Sequence, residues 1–180
     1  DEVITPGHIA KLRSVSAAVM SPDGAHIAYV LQIPRDPFVK DDEFEDGPPY
    51  AELHVIAVEN GEDAAYITGR ETVEHVAWTP DGKSISFLAK RGKEKQTSLY
   101  SIPHGGGEAR RLVSHDTDIS EYSWSVDARH VAFLATVKMA ESKKKLEDKG
   151  FKAEVYEEDL DHVFVCIAAT GDASATQRRL

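Results

Sequence analysis

The chain holds one cysteine, no long apolar run and fewer basic than acidic side chains. A lone cysteine, Cys166, excludes an internal disulfide framework and any cysteine-based zinc site. Inside the apolar run Val163 to Ala169 it reads as a small core residue rather than a nucleophile. No stretch approaches the roughly 18 consecutive apolar residues of a transmembrane helix, so no membrane partner is expected. The 21 Lys and Arg against 31 Asp and Glu give a formal charge of -10, which repels nucleic-acid phosphates and anionic surfaces. No nucleic-acid partner is expected either. The chain opens at Asp1 rather than at methionine, which fits a removed leader and a start inside a longer protein alike, and composition assigns no compartment.

What the chain does contain is a repeat. Val15 to Leu31 (VSAAVMSPDGAHIAYVL), Val73 to Ala89 (VEHVAWTPDGKSISFLA) and Ile119 to Ala135 (ISEYSWSVDARHVAFLA) align without a gap. Met20, Trp78 and Trp124 fall in one column, Asp23, Asp81 and Asp127 in a second, and Tyr29, Phe87 and Phe133 in a third. A further register follows each copy: Leu53 to Gly61, Leu99 to Gly107 and Val163 to Gly171 are equal in length and end on a glycine followed by an acidic residue. Each unit reads as a strand, a tight turn, an alternating strand and a third strand with its own turn. A short apolar piece such as Tyr66-Ile67 or Leu112-Val113 closes it.

Trp78 and Trp124 stand 46 residues apart, whereas the second-to-third strand spacing grows to accommodate insertions in the first and third units. A four-stranded unit of about 45 residues, repeated, is the pattern of a propeller blade. The sequence therefore predicts an all-β fold: a partial β-propeller of about three four-stranded antiparallel blades, preceded by a short N-terminal helix. It forms one domain over 1–180, with a helix and lead-in over 1–14 and blades over 15–72, 73–118 and 119–180. Trp78, Trp124, Phe87 and Phe133 are placed to fill the space between blades. Pro22-Asp23-Gly24 and Pro80-Asp81-Gly82 supply a preset negative φ and a residue tolerant of positive φ. The third copy, Val126-Asp127-Ala128, lacks both special residues, which leaves its geometry open.

Outside the repeat, Thr5 to Leu12 predicts a helix with Thr5 as N-cap, Pro6 in the first position, and Ile9 and Leu12 toward the core. The acidic, proline-rich insertion Pro34 to Tyr50, with its carboxylates from Asp36 to Asp46, matches no calcium-loop spacing and reads as a solvated loop. Lys138 to Asp161 runs from basic to acidic and reads as a solvated excursion.

Three strings imitate reactive motifs. Gly82-Lys83-Ser84 resembles the end of a phosphate loop, but the position five before Gly82 is Ala77 and the context is strand, turn, strand. His104-Gly105-Gly106-Gly107 resembles an oxyanion loop, yet no Gly-x-Ser-x-Gly accompanies it, and Gly107 aligns with Gly61 and Gly171 as a hairpin residue. The eight histidines include no His-Glu-x-x-His. The sequence nominates no catalytic, cofactor or metal residue.

The order TPGHIAKLRSVSAAVMSPDG, VAWTPDGKSISFLAKR, LYSIPHGGGEARRL, YSWSVDARHVAFLA, with the lysine-rich lead into VYEEDLDHVFVCIAATG, resembles the amino-terminal propeller of the prolyl oligopeptidase family of serine peptidases. Its acylaminoacyl-peptidase and dipeptidyl-peptidase-like branch fits best; TolB-like propellers share the SPDG turn. The resemblance implies seven or eight blades followed by a C-terminal α/β-hydrolase domain that carries a Ser-Asp-His triad. It also implies a peptide as the parent's substrate and a propeller that restricts access. No residue here matches the triad region, and Gln177-Arg178-Arg179-Leu180 parallels Arg110-Arg111-Leu112 of the second blade. The expected function is a non-catalytic propeller segment of such a peptidase; the alternative is a TolB-like scaffold for protein partners. Three blades leave two faces uncovered, and self-association through them or disorder at the ends is expected.

Overall fold

The computed structural model describes residues 4–9, 11–35, 48–136, 163–170 and 178–179. The acidic stretch Asp36 to Asp46 and the excursion Lys138 to Asp161 lie outside the described residues.

Among the described residues twelve strands form three four-stranded antiparallel sheets, each built from strands consecutive in sequence. The first sheet holds β1 (Ser14–Met20), β2 (His26–Ile33), β3 (Tyr50–Ala57) and β4 (Asp63–Ile67). The second holds β5 (Glu74–Trp78), β6 (Ser84–Ala89), β7 (Ser98–Pro103) and β8 (Arg110–Val113). The third holds β9 (Ile119–Trp124), β10 (His130–Thr136), β11 (Val163–Ala169) and β12 (Arg178–Arg179). These are blades of a partial propeller, and both insertions fall between second and third strands, so they leave from one end of the blades. Side chains alternate across each strand, and the middle strands of blade 2 bury both faces, as β6 does with Ile85, Phe87 and Ala89 toward blade 1 and Ser86 and Leu88 toward blade 3.

One local rule builds all three first turns. Ser21, Thr79 and Ser125 each donate a hydroxyl to the carboxylate two residues on, Asp23, Asp81 and Asp127, at 2.5, 2.7 and 2.6 Å. Each carboxylate also accepts a backbone N–H, from Ala25, Lys83 and Arg129. Each hydroxyl accepts the N–H that starts the next strand, from His26, Ser84 and His130. Every turn is thus closed by its own side chains. The third copy keeps the geometry without its glycine: Ala128 takes a φ of 57°, beside 73° at Gly24 and 69° at Gly82.

The blades meet through two apolar joints. In the first, Ala28, Val30, Leu53 and Val55 of blade 1 pack on Trp78, Ile85, Phe87 and Tyr100 of blade 2. In the second, Leu88 and Leu99 of blade 2 pack on Val131, Phe133 and Cys166 of blade 3, with Tyr122 and Trp124 against them. The predicted aromatics do fill these joints. Each tryptophan also reaches back across its joint: Trp78 donates its indole N–H to the Val19 carbonyl at 3.0 Å, and Trp124 to the Ser86 hydroxyl at 2.8 Å. Connections between blades are tied by equivalent bonds, Val73 N–H to the Ala51 carbonyl and Ile119 N–H to the Thr97 carbonyl, both 3.1 Å.

The helix departs from expectation. α1 covers only Pro6–Ile9. Thr5 caps it as predicted, receiving the His8 N–H on its hydroxyl at 3.4 Å. Ile9 and Leu12, however, are 60% and 68% exposed and not part of the core. One turn of helix has too few hydrogen bonds to stand alone, and neither side chain belongs to an apolar cluster among the described residues.

Candidate functional site

The repeat gives every blade two kinds of face. A forward face, toward the next blade, is made of small or branched side chains; a backward face, toward the preceding blade, carries the large ones. On blades 2 and 3 the backward face is buried by the blade before it. On blade 1 the same columns present Met20, Ile27, Tyr29 and Leu31, and Met20 is 53% exposed where Trp78 is 7% exposed. This backward face holds a connected polar group of Tyr29, Glu52, His54 and Asp63.

The register places Tyr29 of β2 opposite His54 of β3. Their rings lie 5.3 Å apart, in the columns that blade 2 fills with the stacked pair Phe87 and Tyr100. Two residues before His54, and so on the same side of the strand, is Glu52; Asp63 comes across from β4. His54 Nδ1 lies 3.1 Å from Asp63 and Nε2 3.3 Å from Glu52. Tyr29 donates to the other oxygen of Asp63 at 2.9 Å, and the Gly69 N–H to the other oxygen of Glu52 at 2.8 Å. Burial, then the Asp63 carboxylate, raises the Tyr29 phenol above its ordinary range. Each of the four carboxylate oxygens therefore has a polar partner, and the tautomer sets which His54 nitrogen donates. With both ring nitrogens engaged by carboxylates and no serine, threonine or cysteine in the chain of bonds, His54 is held as a positioned group and not as a base beside a nucleophile. Sequence reasoning missed it: the i, i+2 pair Glu52 and His54 was visible, but Asp63 joins only through the β3–β4 register.

A second cluster sits at the turn end of the first joint. His104 lies between His26 and Trp78, with ring centroids 4.3 and 5.1 Å away, and its carbonyl accepts the Tyr66 hydroxyl. Its Nδ1 is buried without a hydrogen-bond partner. Burial, and then the neighbouring His26, hold its pKa below the ordinary histidine value. The string His104 to Gly107 is thus the β7–β8 turn packed against blade 1. Gly82-Lys83-Ser84 is likewise the β5–β6 turn running into β6.

At the opposite end, Arg91 lies 3.5 Å from Glu71 and 5.5 Å over the Tyr100 ring, while Tyr100 donates to Glu94 at 2.6 Å and Arg111 pairs with Glu94. Burial and then Glu94 push the Tyr100 phenol up to about 12. This network braces the blade 1 to blade 2 connection. Cys166 is buried in the second joint. Among the described residues no three His, Cys, Asp or Glu converge as metal ligands.

No protein-family profile matches the chain. It is 25% identical over 143 residues to the uncharacterized peptidase YuxL of Bacillus subtilis, covering 78% of this chain and 20% of that protein. To dipeptidyl-peptidase 5 of Porphyromonas endodontalis it is 22% identical over 142 residues, covering 79% and 19%. The chain thus spans about a fifth of the length of the curated relatives it matches. Among solved structures, the AtxE2 isopeptidase superposes with a TM-score of 0.71 at 14% identity, over 98% of this chain and 32% of that one. The Pyrococcus horikoshii acylaminoacyl peptidase gives 0.64 at 13%, over 96% and 26%. TolB from Acinetobacter baumannii gives 0.60 at 16%, over 91% and 31%. The chain is similar in sequence to peptidases of the prolyl oligopeptidase family, and its fold is that of a propeller segment.

Proposed function

We propose that a chain similar to the propellers of prolyl oligopeptidase-family peptidases serves as a non-catalytic propeller segment of such an enzyme. In this reading it limits which peptides reach a separate α/β-hydrolase domain. The observation that carries the reading is the match to two peptidases over nearly four fifths of this chain and only a fifth of theirs. The segment is one partial propeller domain over 1–180, with blades over 15–72, 73–118 and 119–180. It acts by shape: hydrogen-bonded blades form a wall, and the parent's peptide substrate is cleaved through an acyl-enzyme elsewhere. The outer sides of its first and last blades also offer surfaces for self-association.

The second reading, a TolB-like scaffold that binds protein partners without a hydrolase, is supported by the superposition on TolB over 91% of the chain. Sequencing the gene across codon 180 separates the two. A downstream Gly-x-Ser-x-Gly in a strand-to-helix context supports the first; further blades followed by a stop codon, with no such motif, support the second.

A further inference from the structure

Blade 2 sends one titratable ring into the turn end of the joint it makes with blade 1. His104, just past the end of β7, lies between His26 of β2 and Trp78 of β5, with ring centroids 4.3 and 5.1 Å away. Blade 1 holds the same residue from β4, where Tyr66 donates its hydroxyl to the His104 carbonyl. The Nδ1 atom of His104 is buried and has no hydrogen-bond partner. An imidazolium carries protons on both nitrogens, so charging this ring places a buried donor at Nδ1 with no acceptor, beside a second histidine.

We propose that this cluster is an acid-released latch on the first joint: a proton taken up by His104 drives its ring out from between His26 and Trp78, and the turn ends of blades 1 and 2 part while their opposite ends stay together. It rests on the joint between these two blades and not on the peptidase reading. The surroundings leave the charge poorly compensated. From the β1–β2 turn, Asp23 is the carboxylate whose charge reaches the ring, but it is exposed and already receives the Ser21 hydroxyl and the Ala25 N–H. Lys83 of the β5–β6 turn offers its carbonyl to the His104 N–H at 2.8 Å, and its ammonium stands 3.7 Å from Asp81. The Tyr66 phenol, raised by burial, stays neutral, and Trp78 does not titrate. Burial and then His26 hold the His104 pKa below the ordinary histidine value. A ring released into solvent regains that ordinary value, so acid favours the parted form. At the far end the joint is held by the Ala51 N–H on the Glu71 carbonyl, the Val73 N–H on the Ala51 carbonyl and the Arg91 to Glu71 ion pair. Backbone amides, arginine and glutamate keep their charge states through the histidine range. The second joint lacks the device. Its residue bonded as His104 is, by an N–H to the Arg129 carbonyl, is Thr170, and His26 aligns with Ser84.

The test reads the two indole N–H groups by NMR hydrogen exchange in the full chain, which has two tryptophans. Trp78 donates across the first joint to Val19 and Trp124 across the second to Ser86, so each joint has its own reporter. Protection relative to a free indole is measured about one unit above and about one unit below the ordinary histidine pKa. Trp78 is expected to lose protection severalfold on acidification, with a ceiling of about tenfold for uptake of one proton, while Trp124 keeps its own. His104→Gln, polar and without a titrating group, should abolish the pH dependence at Trp78. Equal loss at both indoles, no loss at Trp78, or a loss that persists unchanged in His104→Gln overturns the proposal. Should the variant fail to fold, the wild-type comparison of the two indoles still decides it. Each of these outcomes leaves the peptidase reading standing.

Discussion

Ala128 takes a φ of 57° at the position where the sibling turns use Gly24 and Gly82. A side chain with a Cβ is strained in the left-handed region, yet the Ser125 and Asp127 bonds hold the turn in shape. Ala128→Gly is therefore expected to stabilise the chain by ~0.5–1 kcal/mol, strain relief outweighing the extra freedom of the unfolded glycine. Gly24→Ala should destabilise it by ~1–2 kcal/mol. Thermal unfolding of the two variants checks both signs. His104 carries a pH effect of known direction. Its folded pKa lies below the ordinary 6.5 through burial and His26, so the unfolded chain binds the proton more readily. That contribution is fully present above the unfolded value and lost as pH falls below it. The turn carboxylates Asp23, Asp81 and Asp127, lowered first by Ser21, Thr79 and Ser125, lose theirs in a separate acid window below the ordinary 3.8. His104→Phe should flatten the decline in stability that sets in as pH falls through the ordinary histidine value and leave the more acidic one. Urea midpoints across pH report this, and an unchanged slope in the first window would assign it to other groups. The aspartate column was legible in the sequence, but the hydroxyl two residues before it was not weighed. That hydroxyl is why the third turn survives without proline or glycine.

At the scale of strands and joints, Ser86 is a relay. In the first joint Trp78 bonds the Val19 carbonyl directly. In the second, Trp124 donates to the Ser86 hydroxyl, which donates at 3.1 Å to the carbonyl of Ala77, the repeat partner of Val19. Tyr122 meets the same hydroxyl at 2.9 Å and donates to the His75 carbonyl at 2.7 Å. Burial raises its phenol well above the ordinary value. Ser86→Ala is expected to cost about 1–3 kcal/mol by leaving the buried indole N–H without its acceptor; chemical denaturation of the variant measures it. The strands and their order could be read from the columns because period-2 alternation and equal spacing survive in all three copies. The serine relay could not, since Ser86 aligns with Ala28 and Ala132 and only packing shows what it touches. The helix failed for the converse reason: Ile9 and Leu12 have helical spacing, but spacing cannot say whether a partner surface exists.

The described residues form three successive blades with hydrogen-bonded turns at one end and charged bracing at the other. The order of blades and the family resemblance were present in the sequence, because both rest on recurring columns. The polar group of Tyr29, Glu52, His54 and Asp63 on blade 1 was not, because it breaks those columns: His54 stands where the other blades place Tyr100 and Phe164. The proposed steric role assigns these blades no bond-making step. The central claim is tested most directly by assaying the 180-residue chain and the full gene product side by side on peptides of increasing length, with and without a serine-directed inhibitor. The account predicts no turnover by the chain, and inhibitor-sensitive turnover by the full product that falls as peptides lengthen. Turnover by the chain alone, or a full product that hydrolyses long and short peptides equally, would contradict it.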